Sequence, residues 1–399
     1  MLELRRLHEV DLDAVLAQDE RAFALHYGPE VRPLAESDVL AMTSAWAALD
    51  GGDVVGFAGS RRHELTVSPG HTVPVHGVTW VSVAASHRRR GIAARLLANV
   101  HDDARADGAA AAVLTASEGA IYGRFGYGPA TMFRQVQIDR RAVRFRRAGV
   151  APGRVCYLTA SEADRRGAEL YGRYRCALAG AISRPVALAA VVRHRLADAY
   201  WVGYDNPDGG LDGLAAYTIV PGWNGGQPAN ELTIQDLVCV GPHARRALLE
   251  VVLSTDLVGD VTTKQLPLDD PLPWELEDRR AVRVRDEFDM MWLAPFDVAR
   301  LLGARATHAS SERIVLEVVG GSRWALHAEG GRLVVGDASH AAEADLVLGP
   351  SELGSLALGG VTPTQLARAG RIEVRSGDAL RRAERLWHAD TLPFCNTMF

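Results

Sequence analysis

One stretch constrains the fold of this chain more than any other: a strand, a basic glycine turn and a helix follow one another between residues 78 and 107. The apolar and β-branched residues of 78–84 predict a buried strand. The turn His87-Arg-Arg-Arg-Gly91 comes next. Apolar residues then recur every four positions from Ile92 to Ala104, and Gly108 follows, which predicts a helix with a glycine stop.

The same arrangement can bind an anion. The first turn of a helix has backbone N–H groups without helical partners and carries partial positive charge. A glycine in the preceding turn has no Cβ, so a phosphate can approach the main chain. The spacing Arg88-x-x-Gly91-x-Ala93 contains one glycine, whereas the Walker loop needs two glycines and the dinucleotide loop three. On this string alone, a solvated basic turn is the alternative interpretation.

A second motif follows a strand predicted over 111–116. It reads Ser117-Glu-Gly-Ala-Ile-Tyr122-Gly-Arg-Phe-Gly-Tyr127-Gly-Pro129. The two motifs together resemble the GCN5-related N-acetyltransferases (GNATs), in which a Q/R-x-x-G-x-G/A run binds the pyrophosphate of acetyl-CoA. Val81-Ser-Val-Ala, the basic turn and the tyrosine motif resemble one branch, the enhanced intracellular survival (Eis) acetyltransferases of actinobacteria. The resemblance extends over the whole length and includes a short aromatic tail.

The length of 399 residues allows two or three domains. Strands are predicted over residues 2–7, 53–60, 64–67, 73–84, 111–116 and 135–139. The resemblance implies an α/β (α+β) fold with a catalytic GNAT domain over 1–148, a degenerate GNAT-like domain over 149–289 and a sterol carrier protein-like domain over 290–399.

The degenerate domain is indicated by a weak internal repeat. Residues 237–246 repeat the order strand, histidine, arginine pair and helix, but Ala247 stands where Gly91 would. A Cβ at that position narrows the approach of a phosphate, so we expect this domain not to bind CoA. Chance similarity between two αβ turns is the alternative.

Composition disfavours several classes of function. A net charge of −5 does not favour nucleic-acid binding, and no run of about 18 apolar residues predicts a membrane span. The four cysteines have neither C-x-x-C nor zinc spacing, so we expect free thiols and no metal. The N-terminus lacks a signal-peptide pattern, so the expected location is cytoplasmic, with leaderless export left open. The resemblance adds a homohexamer as the expected assembly.

Acetyl transfer to an amine requires an acid that protonates the departing thiolate. The pKa of a simple thiol is about 8.5 and that of tyrosine about 10, so a tyrosine within hydrogen-bond reach is a suitable donor. The resemblance assigns this role to Tyr122, which follows the strand beside the cofactor helix. Tyr127 is the nearest competitor, and core packing is the alternative for either tyrosine.

Apolar residues continue through the tail, 390–399, to the last position, although chain ends are usually polar and poorly ordered. We therefore expect the tail to dock on the protein, either with its carboxylate at the surface or inserted into the site. The resemblance assigns the α-carboxylate of Phe399 as the base, which holds the substrate ammonium and relays its proton through water.

The resemblance also implies the acetyl-CoA contacts. The strand residues Val81, Ser82 and Val83 would pair with the pantetheine amide, and a backbone N–H of this edge is the expected oxyanion donor. Ser117 and Glu118 would lie beside the cofactor arm. The residues expected to hold the pyrophosphate are Arg89, Arg90, Gly91, Ile92, Ala93 and Ala94. Trp80 either lines the substrate pocket or packs in the core.

The expected function is N-acetyl transfer from acetyl-CoA to a small-molecule primary amine, such as an aminoglycoside acetylated at several positions, or to lysine side chains. Several members of the branch carry an acidic residue before the terminal phenylalanine that helps to bind polycations, whereas this chain has Met398. Asp19 and Glu20 are the candidates to supply that charge, with solvated helix carboxylates as the alternative. A non-enzymatic lipid or effector carrier and an acyltransferase for longer chains are the alternative functions.

Overall fold

The computed structural model describes residues 2–146, 152–339 and 342–399, so the expected domain boundary at residue 148 lies outside the described residues. The elements of the first part of the chain are β1 (Leu2–Arg6), α1 (Leu12–Phe23), α2 (Arg32–Leu40), β2 (Ser44–Asp50), β3 (Asp53–Ser68), β4 (His71–Val83), α3 (Ile92–Ala106), β5 (Ala111–Thr115), α4 (Gly119–Tyr122), β6 (Gly128–Pro129) and β7 (Met132–Asp139).

The elements of the middle part are β8 (Arg154–Leu158), α5 (Ala160–Ala177), α6 (Val186–Arg195), β9 (Tyr200–Asp205), β10 (Leu211–Val220), β11 (Trp223–Asn224), β12 (Gln227–Pro228), β13 (Asn230–Cys239), α7 (Pro242–Leu253), β14 (Val258–Leu266), α8 (Leu272–Glu275) and β15 (Val282–Asp289). Those of the last part are β16 (Met291–Pro295), α9 (Val298–Gly303), β17 (Arg313–Val318), β18 (Ser322–Glu329), β19 (Arg332–Asp337), β20 (Leu346–Leu348), α10 (Pro350–Leu356), α11 (Pro363–Arg368), β21 (Ile372–Val374) and α12 (Ala379–Trp387).

Two seven-stranded sheets and one five-stranded sheet organise these elements, apart from the small β11–β12 hairpin. The strand order is β1-β2-β3-β4-β5-β16-β6 in the first sheet, β15-β7-β14-β13-β10-β9-β8 in the second and β19-β18-β17-β20-β21 in the third. Helices cover each sheet, which confirms the α/β (α+β) class.

The first two sheets exchange strands across the expected domain boundaries. β7 pairs with β14 and β15 in the second sheet, although the sequence placed it in the first domain. β16 pairs with β5 and β6 in the first sheet, although it follows residue 289. The alternation of polar and apolar residues predicts that a segment is a strand, but it does not say which sheet the strand joins.

β3 differs from the two short strands predicted over 53–60 and 64–67. It is one strand of 16 residues that pairs with β4 along most of its length. Its centre contains polar residues, but Arg61 is 4% exposed and His63 is 3% exposed. Each of them has a partner from outside the strand: Asp38 for Arg61 and the backbone oxygen of Ser183 for His63. The strand therefore continues through polar residues that distant groups satisfy.

α3 forms as predicted and covers the sheet beside β4. Its four periodic apolar residues, from Ile92 to Ala104, are each 2% exposed or less. Gly108 follows with a φ of 77°, a left-handed conformation that glycine adopts without a steric cost. This burial fixes the first turn of the helix, at Ile92, next to the end of β4.

β4 and β5 diverge, and this opening positions the site. They pair in parallel only where residues 75–77 face residues 111–113, although both strands continue beyond that point. β4 also contains a bulge: between two regular pairs, Trp80 and Val81 lie opposite the single residue Ala58 of β3. A bulge bends its strand and often lies next to an active site.

Candidate active site

A cavity of about 590 Å³ opens where β4 and β5 diverge. Its lining comes from α1, α2 and the segment between them, from β3, β4, β5 and the segment after β5, and from α6 and the last two residues of the chain. Parts of the chain that are distant in sequence therefore meet here, including a helix from the middle of the chain and the C-terminus.

Tyr122 ends the short helix α4 and lines this cavity. Its side chain is 6% exposed, and its ring packs edge-on against Tyr127 with 6.0 Å between centroids. Burial, followed by the negative charge of Glu118, raises the pKa of the Tyr122 hydroxyl. The hydroxyl therefore keeps its proton at neutral pH and can donate it to a stronger base.

Tyr127 has a different environment. It is completely buried, and its hydroxyl lies 2.7 Å from Nε2 of His101. Burial, followed by the charge of Arg105, lowers the pKa of His101 to about 4, so the neutral imidazole can accept the hydrogen bond from the tyrosine. Tyr127 is not among the residues that line the cavity. The geometry thus favours Tyr122 as the proton donor and a core role for Tyr127.

The edge of β4 that faces the opening can pair with an extended ligand. The backbone N–H of Ala84 donates to the carbonyl of Val55 on β3. Since backbone groups alternate in direction along a strand, the N–H groups of Val81 and Val83 point to the opposite edge, where β5 has diverged. The Ser82 side chain is buried, and by the same alternation its backbone N–H points toward β3, where Ser82 lies opposite Phe57, so Ser82 contributes no N–H group to the open edge.

The basic turn between β4 and α3 lies at the surface. Arg89 and Gly91 have φ values of 64° and 75°, and the arginines of the turn are exposed. A Cβ added at Gly91 would meet nothing within 4 Å, so the glycine is required by its backbone conformation rather than by crowding. The N–H groups at the start of α3, at Ile92, Ala93 and Ala94, remain open to a ligand from this side.

Ser117 and Glu118 follow the strand predicted over 111–116, and only one of them lines the cavity. Ser117 lines it, whereas Glu118 lies outside the lining, and both are exposed. Glu118 instead precedes α4 and acts on Tyr122 through its charge.

Phe399 also lines the cavity, together with Met398. Its ring lies 5.4 Å from the ring of His63, measured between centroids. A Cβ at Gly77 would come within 2.9 Å of the Phe399 ring, so the glycine leaves the space that this ring fills. The tail thus docks on β3 and β4, and its last residue and Tyr122 line the same cavity.

Residues of the second domain hold the tail just before its end. The Arg184 Nε–H donates to the Thr397 hydroxyl at 2.9 Å, and the Tyr171 hydroxyl lies 2.8 Å from the same oxygen. Because Tyr171 donates its own proton to the carbonyl of Ile182, the Thr397 hydroxyl donates to Tyr171. Asn396 donates to Asp236 at 2.9 Å. We call Tyr171, Arg184 and Asp236 the tail clamp.

The cavity also contains two buried acidic groups, of which the sequence indicated Asp19 as a candidate but not Asp38. Asp19 is 3% exposed and Asp38 is 7% exposed. Asp38 accepts hydrogen bonds from Arg61 and Trp80 at 2.7 and 2.9 Å. Asp19 accepts one from the Tyr27 hydroxyl at 2.6 Å. Burial raises the pKa of Asp19 to about 6, although the hydrogen bond from Tyr27 opposes the shift.

A helical pattern could have revealed both acids. Asp19 follows Val15 by four residues, and Asp38 follows Ala35 by three, which puts each carboxylate on the apolar face of its helix. Glu20, the other predicted acid, lies outside the cavity lining and accepts a hydrogen bond from the backbone N–H of Tyr27.

Trp80 combines the two roles predicted for it. It lines the cavity, and its ring stacks on Tyr27 with 5.8 Å between centroids. Its φ of 57° is rare for a residue other than glycine, and the strain is located at the bulge of β4 beside the cavity.

The second domain lacks a turn like that of residues 84–91. Only two residues, Val240 and Gly241, separate β13 from α7. Gly241 therefore precedes the helix as Gly91 does, and Ala247 lies inside it, 7% exposed. The predicted equivalence of Ala247 with Gly91 is wrong, because the helix begins earlier than expected. Pro242 also removes one N–H group from the first turn.

Two further observations concern the described parts of the chain. No helix in them is long and apolar enough to cross a membrane. No three histidine, cysteine or acidic side chains of the described residues lie together in a way that could hold a metal ion.

Family models match three successive parts of the chain. A model of an acetyltransferase (GNAT) domain matches residues 3–130, a second acetyltransferase (GNAT) domain model matches residues 180–301, and a sterol carrier protein domain model matches residues 298–396. The predicted combination of two GNAT-like domains with a sterol carrier protein-like domain is confirmed.

Several relatives are similar over most of their length. The chain is 33% identical over 350 residues to the N-acetyltransferase Eis of Mycobacterium tuberculosis, which covers 85% of this chain and 84% of that protein. It is 32% identical over 371 residues to an uncharacterized N-acetyltransferase of Streptomyces griseus, with 88% of each chain covered.

The fold is similar to solved structures over the whole chain. The crystal structure of Eis1 from Mycobacterium abscessus matches with a TM-score of 0.85 and 30% identity, and all of both chains is covered. A GCN5-related N-acetyltransferase from Anabaena variabilis has the same fold, with a TM-score of 0.84 at 18% identity.

Proposed function

This chain belongs to the Eis family of GCN5-related N-acetyltransferases, and we propose that it transfers acetyl from acetyl-CoA to primary amines of small polycationic molecules. In this proposal the amine attacks the thioester directly, Tyr122 is the acid, and the α-carboxylate of Phe399 is the base. The observation that carries the proposal is the single cavity whose lining includes both residues and the open edge of β4. Because the relatives are acetyltransferases, a non-enzymatic carrier is set aside.

The Phe399 carboxylate acts mainly through its charge. A carboxylate with a pKa of about 3.5 is a weak base for an ammonium with a pKa of about 10. At the edge of a partly closed cavity it can hold the ammonium close by and pass the proton on through water. Docking of the tail on His63 and Gly77 supports this role, because it holds the last residue beside the site.

The remaining groups act on the thioester, which acetyl-CoA supplies in activated form. A backbone N–H of Val81 or Val83 donates to the oxygen that becomes negative when the amine attacks. The Tyr122 hydroxyl gives its proton to the departing sulfur. The raised pKa of Tyr122 keeps that proton in place until the thiolate forms.

A polycationic acceptor is supported by the buried acids of the cavity. Asp19 and Asp38 lie in the lining, and Arg61 neutralises only Asp38. The ionised carboxylate of Asp19 would therefore attract a second ammonium group of the substrate. An aminoglycoside or polyamine has such a group, whereas a lone lysine side chain does not.

Amine-dependent release of free thiol from acetyl-CoA tests the proposed function. We expect release with aminoglycosides and polyamines, and weaker release with lysine peptides. If no amine of these classes raises thiol release above the rate without amine, the proposal is wrong. The family resemblance also leads us to propose that the protein is a cytoplasmic homohexamer without nucleic-acid partners. Light scattering of the purified protein would test the proposed assembly.

Replacing Arg89 with glutamate should raise the KM for acetyl-CoA by at least about tenfold, because a like charge would then face the pyrophosphate at the start of α3. Steady-state kinetics with the amine at saturation would measure it. Arg165→Glu is the matched control, since it makes the same charge change on the exposed face of α5. An unchanged KM for Arg89→Glu would show that the turn is only solvated surface.

The KM for a diamine should fall as the pH rises from 5 to 7. With its pKa raised to about 6, Asp19 is about one-tenth charged at pH 5 and about nine-tenths charged at pH 7, while the amine stays protonated. Asp19→Asn should remove this dependence and raise the KM at pH 7 by roughly tenfold.

Asp102→Asn is the control for that profile, because it removes a carboxylate with 76% of its side chain exposed, on α3. It should keep the wild-type dependence on pH. A profile for Asp19→Asn that follows the wild type would exclude Asp19 from amine binding.

A further inference from the structure

A second cavity, of about 200 Å³, lies in the second domain between α5, α6 and the sheet. β13 pairs in parallel with β14 only as far as Ile234. Asp236 and Val238, which line the cavity, therefore lie on the part of β13 that has left its neighbour. Residues 78–81 of β4 line the active-site cavity in the same way. The second cavity is thus the counterpart of the active-site cavity within the degenerate domain.

The walls of this cavity are mostly apolar, and their charges are already paired. The apolar residues include Ala163, Ala189, Val192, Leu196, Leu214 and Val238. Arg184 pairs with Asp236, and Arg193 pairs with Asp164 at 2.6 Å. A charged ligand would therefore find no uncompensated charge of opposite sign in the lining.

One residue of the lining, Trp201, carries a buried polar group without a partner among the described residues. The Nε1–H of Trp201 is buried and makes no hydrogen bond to any residue that the structure describes. Leaving a buried donor unsatisfied costs free energy, and a ligand with one acceptor would remove that cost. A cavity of about 150 Å³ lined by apolar side chains is known to hold benzene in another protein, so about 200 Å³ suits one ring with a small polar substituent.

We propose that the second cavity is a binding site for a small, uncharged and mainly apolar molecule that carries one carbonyl acceptor for the Trp201 N–H. The degenerate domain would then have kept the cavity that corresponds to the amine-binding cavity of the first domain, after losing the basic turn that binds CoA. The proposed binding site does not depend on the reaction proposed for the active site.

The two cavities share a wall and the tail clamp. One side of α6 lines the active-site cavity with Leu188, Val191 and Arg195, and the other lines the second cavity with Ala189, Val192 and Arg193. Tyr171 and Arg184 line the second cavity and also hold Thr397. A ligand in the second cavity therefore contacts groups that position the last residues, and it should change the KM for the amine. This coupling rests on the proposed role of Phe399.

Benzamide is a suitable probe, since it joins one apolar ring to one amide carbonyl. Ligand-observed NMR should detect its binding to the full-length enzyme and a loss of affinity of roughly three- to tenfold in Trp201→Phe, which keeps a ring but lacks the donor. Ala189→Leu should abolish binding by filling the cavity. Trp223→Phe, at an exposed position of β11, should bind as the wild type does.

A crystal soaked with benzamide provides an independent measurement if Ala189→Leu does not fold. The carbonyl oxygen should lie about 3 Å from Nε1 of Trp201. The site proposal is overturned if benzamide occupies only the active-site cavity, or if Trp201→Phe and Trp223→Phe bind it with equal affinity.

The coupling is tested by amine kinetics at saturating benzamide. We expect the KM for the amine to change by at least about twofold in the wild type, and the concentration of benzamide that gives half this change to rise in Trp201→Phe. Binding without any change in KM would overturn the coupling. An enzyme that binds benzamide but acetylates no amine would instead contradict the proposed function and leave the second site standing.

Discussion

Replacing Tyr122 with phenylalanine should lower kcat by about 10²–10⁴-fold and leave the KM for acetyl-CoA nearly unchanged. The substitution removes one oxygen from a ring that packs against Tyr127 and lines the cavity. In the proposed mechanism the departing thiolate then lacks its proton donor, while the strand edge and the basic turn proposed to hold the cofactor are intact. Single-turnover and steady-state measurements of thiol release would separate the two constants.

Tyr127→Phe is the matched control, because it removes the hydroxyl oxygen of the tyrosine whose ring packs against Tyr122. It should destabilise the protein by about 1–3 kcal/mol, since it leaves the buried acceptor of His101 without its hydrogen bond. The turnover of the folded fraction should stay close to that of the wild type. Wild-type turnover in Tyr122→Phe, or an equal loss of kcat in both variants, would exclude the assigned acid.

Adding two alanines after Phe399 should lower kcat by at least about 10²-fold, because the extension moves the terminal charge away from the cavity. The tail clamp holds Thr397 and Asn396, so the fold and the docking of the tail up to Thr397 should survive. The change in thermal unfolding should therefore be small. Measuring kcat together with the melting temperature distinguishes a loss of chemistry from a loss of folding.

A semisynthetic chain that ends in a carboxamide provides the sharper control. It keeps the length and the Phe399 ring against His63 but removes the negative charge. Its kcat should fall as far as that of the extended chain. If the extended chain alone loses activity, the defect is steric, and the carboxylate is not the base.

The parts of the fold that follow from local sequence could be predicted. α3 was predictable because its buried face repeats every four residues and Gly108 ends it. The length of β3 could not be predicted, because its centre contains the buried polar residues Arg61 and His63. Their hydrogen-bond partners, Asp38 and Ser183, lie elsewhere in the chain. The local sequence pattern also could not predict that β7 and β16 join sheets across the domain boundaries, because tertiary packing decides which strands pair.

The candidate site also has parts that the sequence predicts and parts that it does not. The tyrosine motif and the basic turn could be found because their residues are close in sequence. The wall formed by α6 could not be found, because nothing in residues 186–195 indicates contact with two cavities. The sequence leaves two interpretations for Asp19: a carboxylate on a helix is usually solvated, but its spacing of four residues from Val15 places it on the apolar face of α1.

A crystal structure of the enzyme with CoA and a bound polyamine tests the central claim most directly, through the distance from the Phe399 carboxylate to the reacting amine. The account predicts that a carboxylate oxygen lies within about 3 Å of that nitrogen or of one bridging water, with the Tyr122 hydroxyl within about 3.5 Å of the CoA sulfur. A carboxylate turned to solvent, with the amine held by other groups, would contradict it.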